Sequence, residues 1–332
     1  MEDLMDGTIR WGIASTGNIS TRMTETLREL DGAEVVAVGS RTQESADRFA
    51  ARHGIARAHG SYDDLWADDG VDVVYIGTPH SEHHAMTIAA LDAGRHVLCE
   101  KAFARNRGEA AEMIEAARRN DRFLMEAMWS WFMPAWIDLR ERIRRGVVGE
   151  VVTVTANFCI ERRDVDGRLR RPDLAGGALL DIGIYPLALG RFLLGEPEDV
   201  GRDVRALATL TDQGVDETVA GVVRHAGGAL TSFTSSIEAF SDRGATIVGT
   251  EGTITVPAPF WCPSGFTIER NGEEPETVEM ENRGDAHEAE HTMACLRAGR
   301  IESDVQTWAA TMANMELMDE IRRQVGVVYP GE

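Results

Sequence analysis

The sequence predicts an α/β protein, with an N-terminal doubly wound parallel sheet followed by a C-terminal α+β domain whose sheet is open and largely antiparallel. Three observations predict it. Through about residue 125, short apolar runs alternate with amphipathic helical stretches, which implies strand–helix–strand units with right-handed crossovers. Residues 71–76 (Val-Asp-Val-Val-Tyr-Ile) read as apolar on both faces, as strands inside a parallel sheet are. After Glu126 the rhythm changes to short strands between Gly- and Pro-rich turns, which suggests antiparallel pairing.

The elements follow in order. Residues 9–14 read as a strand, 19–30 as a helix, 34–38 as a strand and 44–53 as a helix. The strand at 71–76 precedes a helix over 82–93, a strand at 96–99, a helix over 107–120 and a short strand at 123–125. A Trp- and Met-rich stretch, 128–136, leads into a helix ending near Gly146. Strands are expected at 151–158, 218–223, 230–235 and 253–256, interrupted by a helix over 179–193. Helices over 286–298 and 303–324 close the chain. A boundary after residue 126 gives domains of 1–126 and 127–332, in keeping with 332 residues at roughly 100–200 per domain.

Composition narrows the function. Lys plus Arg is 34 and Asp plus Glu is 55, a formal charge of -21. So acidic a surface repels a phosphate backbone and an anionic membrane, which argues against nucleic-acid and membrane partners. The apolar runs read as too short for the roughly 18 residues of a membrane span. Residues 1–4 lack the basic-then-apolar pattern of a signal peptide. Cys99, Cys159, Cys262 and Cys295 are scattered with no C-x-x-C pair, and read as reduced thiols in a cytoplasmic protein.

After the first strand, Ser15-Thr16-Gly17-Asn18-Ile19-Ser20 opens into a helix. Set on G-x-G-x-x-G, only the middle glycine remains, as Gly17. That position lets the backbone approach a pyrophosphate, and the helix N-terminus behind it attracts negative charge. An NAD site usually has Asp or Glu at the end of the second strand, bonding the ribose 2′-hydroxyl. Here the residues are Gly39-Ser40-Arg41. No carboxylate is present to repel a 2′-phosphate, and Arg41 can bond one in a fork. NADP(H) is therefore expected over NAD(H).

Gly77-Thr78-Pro79-His80-Ser81-Glu82-His83 and Cys99-Glu100-Lys101-Ala102 follow two later strands. With the glycine turn, they resemble the T-P-N-x-x-H and E-K-P segments of the Gfo/Idh/MocA family of NAD(P)-dependent oxidoreductases. His80 stands for the family's Asn and Ala102 for its Pro. Gly176-Gly177-Ala178-Leu179-Leu180-Asp181-Ile182-Gly183-Ile184-Tyr185 is similar to its G-G-x-x-x-D-x-G-x-H segment, with Tyr185 for His. That Tyr form resembles the branch of dimeric dihydrodiol dehydrogenases and NADP-dependent D-xylose dehydrogenases, as do residues 126–129, 259–263 and 326–330. Trp131 stands where that branch often has Arg.

The resemblance implies an N-terminal Rossmann domain, a substrate-binding second domain and a homodimer. It also implies hydride transfer between a hydroxyl and a carbonyl on a sugar, polyol or cyclic diol. Ser15, Thr16, Gly17, Asn18, Ile19, Ser40, Arg41, Thr78, Pro79, His80, His83, Glu100 and Lys101 become the cofactor set. Tyr185 is expected to exchange the substrate proton, with the Lys101 ammonium favouring its phenolate; in a family alternative Lys101 exchanges the proton itself. Asp181, four residues before Tyr185 on one helix face, is expected to orient a substrate hydroxyl or Lys101. Trp129, Phe158, Tyr185 and Trp261 would wall the pocket, with aromatic faces suited to a sugar ring or a diol. An uncovered apolar sheet face would be buried by dimerisation.

Two other readings compete. His287-Glu288-Ala289-Glu290-His291 matches H-E-x-x-H, the helix-borne ligand pair and general base of zinc hydrolases. The downstream pattern of such enzymes is lacking, since Ala294 stands where the extended form needs Gly, so no catalytic metal is expected. The other is a non-catalytic regulator that senses a dinucleotide and a sugar. Retention of Lys101, Asp181 and Tyr185 favours the enzyme.

Overall fold

The computed structural model describes residues 7–162, 164 and 167–332. Its contacts form two compact units. One comprises the chain through Trp129 together with Asp285–Met312; the other comprises Ser130–Gly284 and Ala313–Glu332. A single boundary after residue 126 does not convey the return of 285–312 to the first unit. Buried Glu126 explains that return. Its Oε2 accepts hydrogen bonds from Gln306 Nε2 at 2.8 Å and Thr311 Oγ1 at 2.9 Å. Trp308 Nε1 donates to the Leu124 carbonyl at 2.9 Å.

The first unit is built on a six-stranded parallel sheet. Its strands are β1 (Ile9–Ala14), β2 (Ala33–Gly39), β3 (Arg57–His59), β4 (Val73–Ile76), β5 (His96–Glu100) and β6 (Leu124–Ala127). They lie in the order β3-β2-β1-β4-β5-β6. The order reverses between β1 and β4, and in such sheets ligands bind at the strand C-termini beside that reversal. Packing against the sheet is close here. A Cβ on Gly12 would lie 2.9 Å from Val71, and one on Gly39 2.9 Å from Leu65. The short β3 and the helix Tyr62–Trp66 carry too few residues for a periodic signal, and sequence reading missed both.

The second unit holds an eight-stranded sheet. Its strands are β7 (Val151–Cys159), β8 (Val204–Leu210), β9 (Asp216–Arg224), β10 (Leu230–Ser236), β11 (Ala245–Gly249), β12 (Gly252–Val256), β13 (Gly265–Arg270) and β14 (Glu276–Glu279). The order is β14-β13-β12-β11-β7-β10-β9-β8. Pairing is antiparallel except at the centre, where β7 and β10 run parallel. Helix Ile184–Leu194 packs on this centre, and a Cβ on Gly190 would lie 2.3 Å from Thr231 Oγ1. The run Pro172–Leu194 is in fact long and apolar enough to cross a membrane, with mean hydropathy 1.4. Its most apolar 18-residue window is 94% buried inside the protein, so the run forms a core element of the unit. The opposite sheet face is open. It carries the exposed Leu207, Val222 and Val248 beside the hydroxyl pair Thr155–Ser232.

Candidate active site

In the first unit, the turn after β1 leaves donors available. Helix Asn18–Arg28 starts from Gly17 with no side-chain cap and no acid in its first turn. Helices Gln43–His53 and Arg107–Asn120 are instead capped by Thr42 and Asn106. The open amides and the positive helix end suit an anion. A Cβ at Gly17 would meet only Ser15 Oγ, at 3.6 Å, so a ligand can approach the backbone. Ser15 itself has φ +115°, which glycine adopts without strain. Its hydroxyl accepts the Gly17 N–H at 3.2 Å. Ser20 Oγ, buried without a hydrogen-bond partner, abuts Gly77, where a Cβ would lie 2.6 Å from it. Gly77 thus provides from the strand side the clearance that a third glycine gives from the helix side.

Past β2, Ser40 is buried and Arg41 exposed. Past β4 and β5, buried side chains clamp the two loops. His83 Nδ1 lies 2.9 Å from the Ala102 carbonyl oxygen, and Nε2 lies 2.9 Å from that of Thr78. Burial lowers the His83 pKa against the pull of these carbonyls, and the Lys101 charge lowers it further. His83, expected to touch cofactor, braces the two loops. Its ring is fully buried, with His80 edge-on at 5.7 Å. Glu100 likewise serves the protein. Its Oε1 accepts the Tyr75 hydroxyl at 2.5 Å and its Oε2 the Lys101 N–H at 3.2 Å. Tyr75 was not legible as a site residue, because its strand reads as plain core. Lys101 is half-buried, and its peptide bond to Ala102 is cis. Thr78 Oγ1 is buried without a hydrogen-bond partner.

In the second unit, the segment bearing Asp181 and Tyr185 is fixed at its N-terminal end. Asp216 Oδ2 accepts the Leu179 N–H at 2.6 Å. Gly177 has φ +112°, and a Cβ there would lie 2.2 Å from Asp216 Oδ1. The Gly177 N–H donates to the Leu169 carbonyl at 2.7 Å, and Tyr329 donates its hydroxyl to the Gly176 carbonyl at 2.7 Å. Burial pushes the Asp216 carboxyl up to about 7. Sequence reading missed Asp216, Tyr329 and Arg168, since only the fold brings them to this segment.

The expected helix divides into a π turn, Leu179–Gly183, and the α-helix Ile184–Leu194. Asp181 Oδ1 accepts a hydrogen bond from Arg168 Nη2 at 2.7 Å. Tyr185 is buried within an aromatic group. Its ring centre lies 5.6 Å from Phe158 and 6.1 Å from Trp261, and those two stack at 3.7 Å. Next to Tyr185, Trp136, Phe260 and Trp261 line a cavity of about 10 Å³, room for one water. The structure thus brings together three of the four expected wall residues. Trp129 belongs to the first unit, with the Arg22 guanidinium 4.6 Å from its ring.

The H-E-x-x-H pattern does not assemble as a zinc hydrolase site. Glu288 is 1% exposed, and burial raises its pKa well above the ordinary value, so it is poorly suited to activate water. Among the described residues, the ligand-type group containing His291 is completed by Cys295 and Asp304, and His287 is not part of it.

Comparison with known proteins agrees with this geometry. A family profile described as "Oxidoreductase family, NAD-binding Rossmann fold" matches residues 9–128. The "GFO/IDH/MocA C-terminal domain" matches residues 136–255. The chain belongs to the Gfo/Idh/MocA family. Its Gfo/Idh/MocA fold binds a nicotinamide dinucleotide, and the protein is an NAD(P)-dependent oxidoreductase. It is 39% identical to the trans-1,2-dihydrobenzene-1,2-diol dehydrogenase of Danio rerio, over 97% of this chain and 98% of that one. The Homo sapiens protein of that name is 36% identical at the same coverage. A 3-ketoreductase from Actinomadura kijaniata, solved with NADP and TDP-benzene, superposes with a TM-score of 0.86 at 26% identity, covering 96% of this chain and 98% of that one.

Proposed function

We propose that this Gfo/Idh/MocA member prefers NADP(H) over NAD(H) and interconverts a hydroxyl and a carbonyl on a sugar, polyol or cyclic diol. The observation that carries the reading is Tyr185, on a braced segment in an aromatic group. Relatives named for dihydrobenzenediol oxidation and an NADP-bound 3-ketoreductase support the substrate class.

The residues after β1 and β4 fit the cofactor: uncapped amides and an open Gly17 after β1 and the unpartnered Thr78 hydroxyl after β4 would hold the dinucleotide, which supplies or accepts hydride when bound. Arg41, with no carboxylate beside it, would fork a 2′-phosphate. Tyr185 gives or takes the substrate's hydroxyl proton at its own Oη. The Lys101 ammonium lowers the cost of the phenolate. Asp181, oriented by Arg168, accepts a second substrate hydroxyl. Phe158 and Trp261 receive the substrate's C–H face.

Two copies of the chain pair through the open sheet face around Leu207 and Val222, burying apolar surface. Light scattering should give twice the chain mass. A monomer at micromolar concentration would end that part of the reading.

The test of activity is absorbance of the reduced nicotinamide, with NADP⁺ or NAD⁺ and a panel of aldoses, polyols and trans-dihydrobenzenediol. Turnover with at least one class, faster with NADP⁺, is expected. NADPH binding without turnover on any of them would favour the non-catalytic sensor.

A further inference from the structure

Helix Ala286–Arg297 carries His291 and Cys295 four residues apart, so both side chains leave one face. The loop that follows brings up Ser303 and Asp304. His291 Nε2 lies 3.3 Å from Cys295 Sγ, 3.6 Å from Asp304 Oδ1 and 2.8 Å from Ser303 Oγ. One nitrogen, one sulfur and one carboxylate oxygen thus lie within 4.8 Å of one another. All these contacts converge on Nε2. A nucleophile–base–acid relay would instead set the carboxylate on the opposite ring nitrogen, so catalysis by Cys295 is not what this geometry serves.

The spacing is compatible with a tetrahedral ion. Bonds of about 2.0 Å to N and O and about 2.3 Å to S separate such ligands by about 3.3–3.6 Å. The His291–Cys295 and His291–Asp304 distances, 3.3 and 3.6 Å, are close to those edges, and the Cys295–Asp304 edge lies within 4.8 Å. The ring is also set in the tautomer a metal needs. Ser303 Oγ accepts the N–H groups of Val305 and Gln306, each at 3.0 Å. Its remaining hydroxyl proton is then the one that Nε2 accepts, which puts the ring proton on Nδ1; an ion would take the Nε2 lone pair in place of the Ser303 hydroxyl. Arg300 Nη1 holds Asp304 Oδ2 at 2.6 Å and leaves Oδ1 turned to the cluster. That is the orienting role a second-layer group plays at metal sites. Cys295 is buried, whereas the Asp304 side chain is 63% exposed, so an ion and a fourth, water ligand can enter from that side.

We propose that His291, Cys295 and Asp304 form a binding site for a divalent transition ion of the zinc type, tying the helix Ala286–Arg297 to the loop after it. The site shares only His291 with the H-E-x-x-H pattern, since neither His287 nor Glu288 takes part. Binding releases the Cys295 proton as the thiolate bonds the ion; no redox change is involved.

The test is titration of the metal-free full-length protein with Co²⁺, followed by displacement with Zn²⁺. One equivalent of Co²⁺ should raise a thiolate-to-cobalt charge-transfer band, and Zn²⁺ should abolish it. Cys295→Ser should lose the band, while Cys262→Ser should keep it. Asp304→Ala and His291→Ala should weaken binding by roughly tenfold or more, each with Cys295 intact. No band in the parent protein would overturn the proposal, and so would a band that survives Cys295→Ser. Unweakened binding in both Asp304→Ala and His291→Ala would do the same. Circular dichroism of each variant identifies any loss that comes from misfolding.

Discussion

The two units hold their candidate site residues in opposite ways. In the first, the turn at Gly17 leaves helix amides uncapped and open, and buried His83 and Glu100 hold the neighbouring loops from behind. In the second, the segment of Asp181 and Tyr185 has its backbone groups taken up by Asp216, Tyr329 and the Leu169 carbonyl, and Tyr185 is set among aromatic rings. Open amides suit a charged phosphate group. A braced aromatic group suits a neutral substrate with an apolar face. The difference teaches that conformational freedom has been removed where we propose that a proton is delivered, and donors kept where we propose that an anion is held.

Several changes would break or sharpen this contrast. The largest effect is expected for Lys101→Met. It should lower kcat by roughly 10²–10⁴ and leave NADPH binding, read by fluorescence titration, nearly intact. A matching loss of cofactor affinity would place Lys101 with the anion-holding residues alone. Next is Gly177→Ala, which demands a strained φ and drives a Cβ into Asp216. A loss of roughly 2–3 kcal/mol in urea unfolding is expected. A loss below about 0.5 kcal/mol would show that the segment is not braced there.

Asp216 adds a pH dependence of known sign. Its folded pKa of about 7 lies above the ordinary 3.8, so the folded state keeps a proton that the unfolded state releases. The resulting stabilisation is full below about pH 4 and is lost as pH rises through 7. Asp216→Asn keeps an acceptor for the Leu179 N–H and cannot ionise. It should flatten the fall in stability between pH 5 and 8, by on the order of 2 kcal/mol. Identical profiles for the two proteins would refute this role. The smallest effect is expected for Arg41→Ala. The KM for NADPH should rise by about tenfold, as for the loss of a charge-assisted bond to phosphate, with little change for NADH. Equal small changes with both cofactors would remove the basis for an NADP preference.

Much of the first unit was legible because periodicity reports burial. The strand Ile9–Ala14 and the helix Arg107–Asn120 lie where the apolar pattern put them. Gly17 was legible as a candidate because it is the middle glycine of the pattern between a strand and a helix, a place that alone more often marks an ordinary turn. The residues that do the bracing were not. His83 carries a family signature, yet only the fold shows both ring nitrogens turned to backbone carbonyls. Asp216 reads as the start of an ordinary strand, and its role at Leu179 depends on a contact 37 positions away. The parallel pairing of β7 with β10 is invisible to a pattern that reports only which residues alternate. The membrane-length run at Pro172–Leu194 went unnoticed because glycines, Asp181 and Arg191 interrupt it locally; its burial is a property of the whole unit.

Tyr185→Phe tests the central claim most directly. Phenylalanine keeps the ring among Phe158 and Trp261 and removes only the hydroxyl. The measurement is single-turnover oxidation of NADPH with the best carbonyl substrate, alongside NADPH affinity in the same preparation. The account predicts a rate lowered by roughly 10²–10⁴ at unchanged affinity. A rate within a few-fold of the parent would contradict it and move the proton transfer to another group.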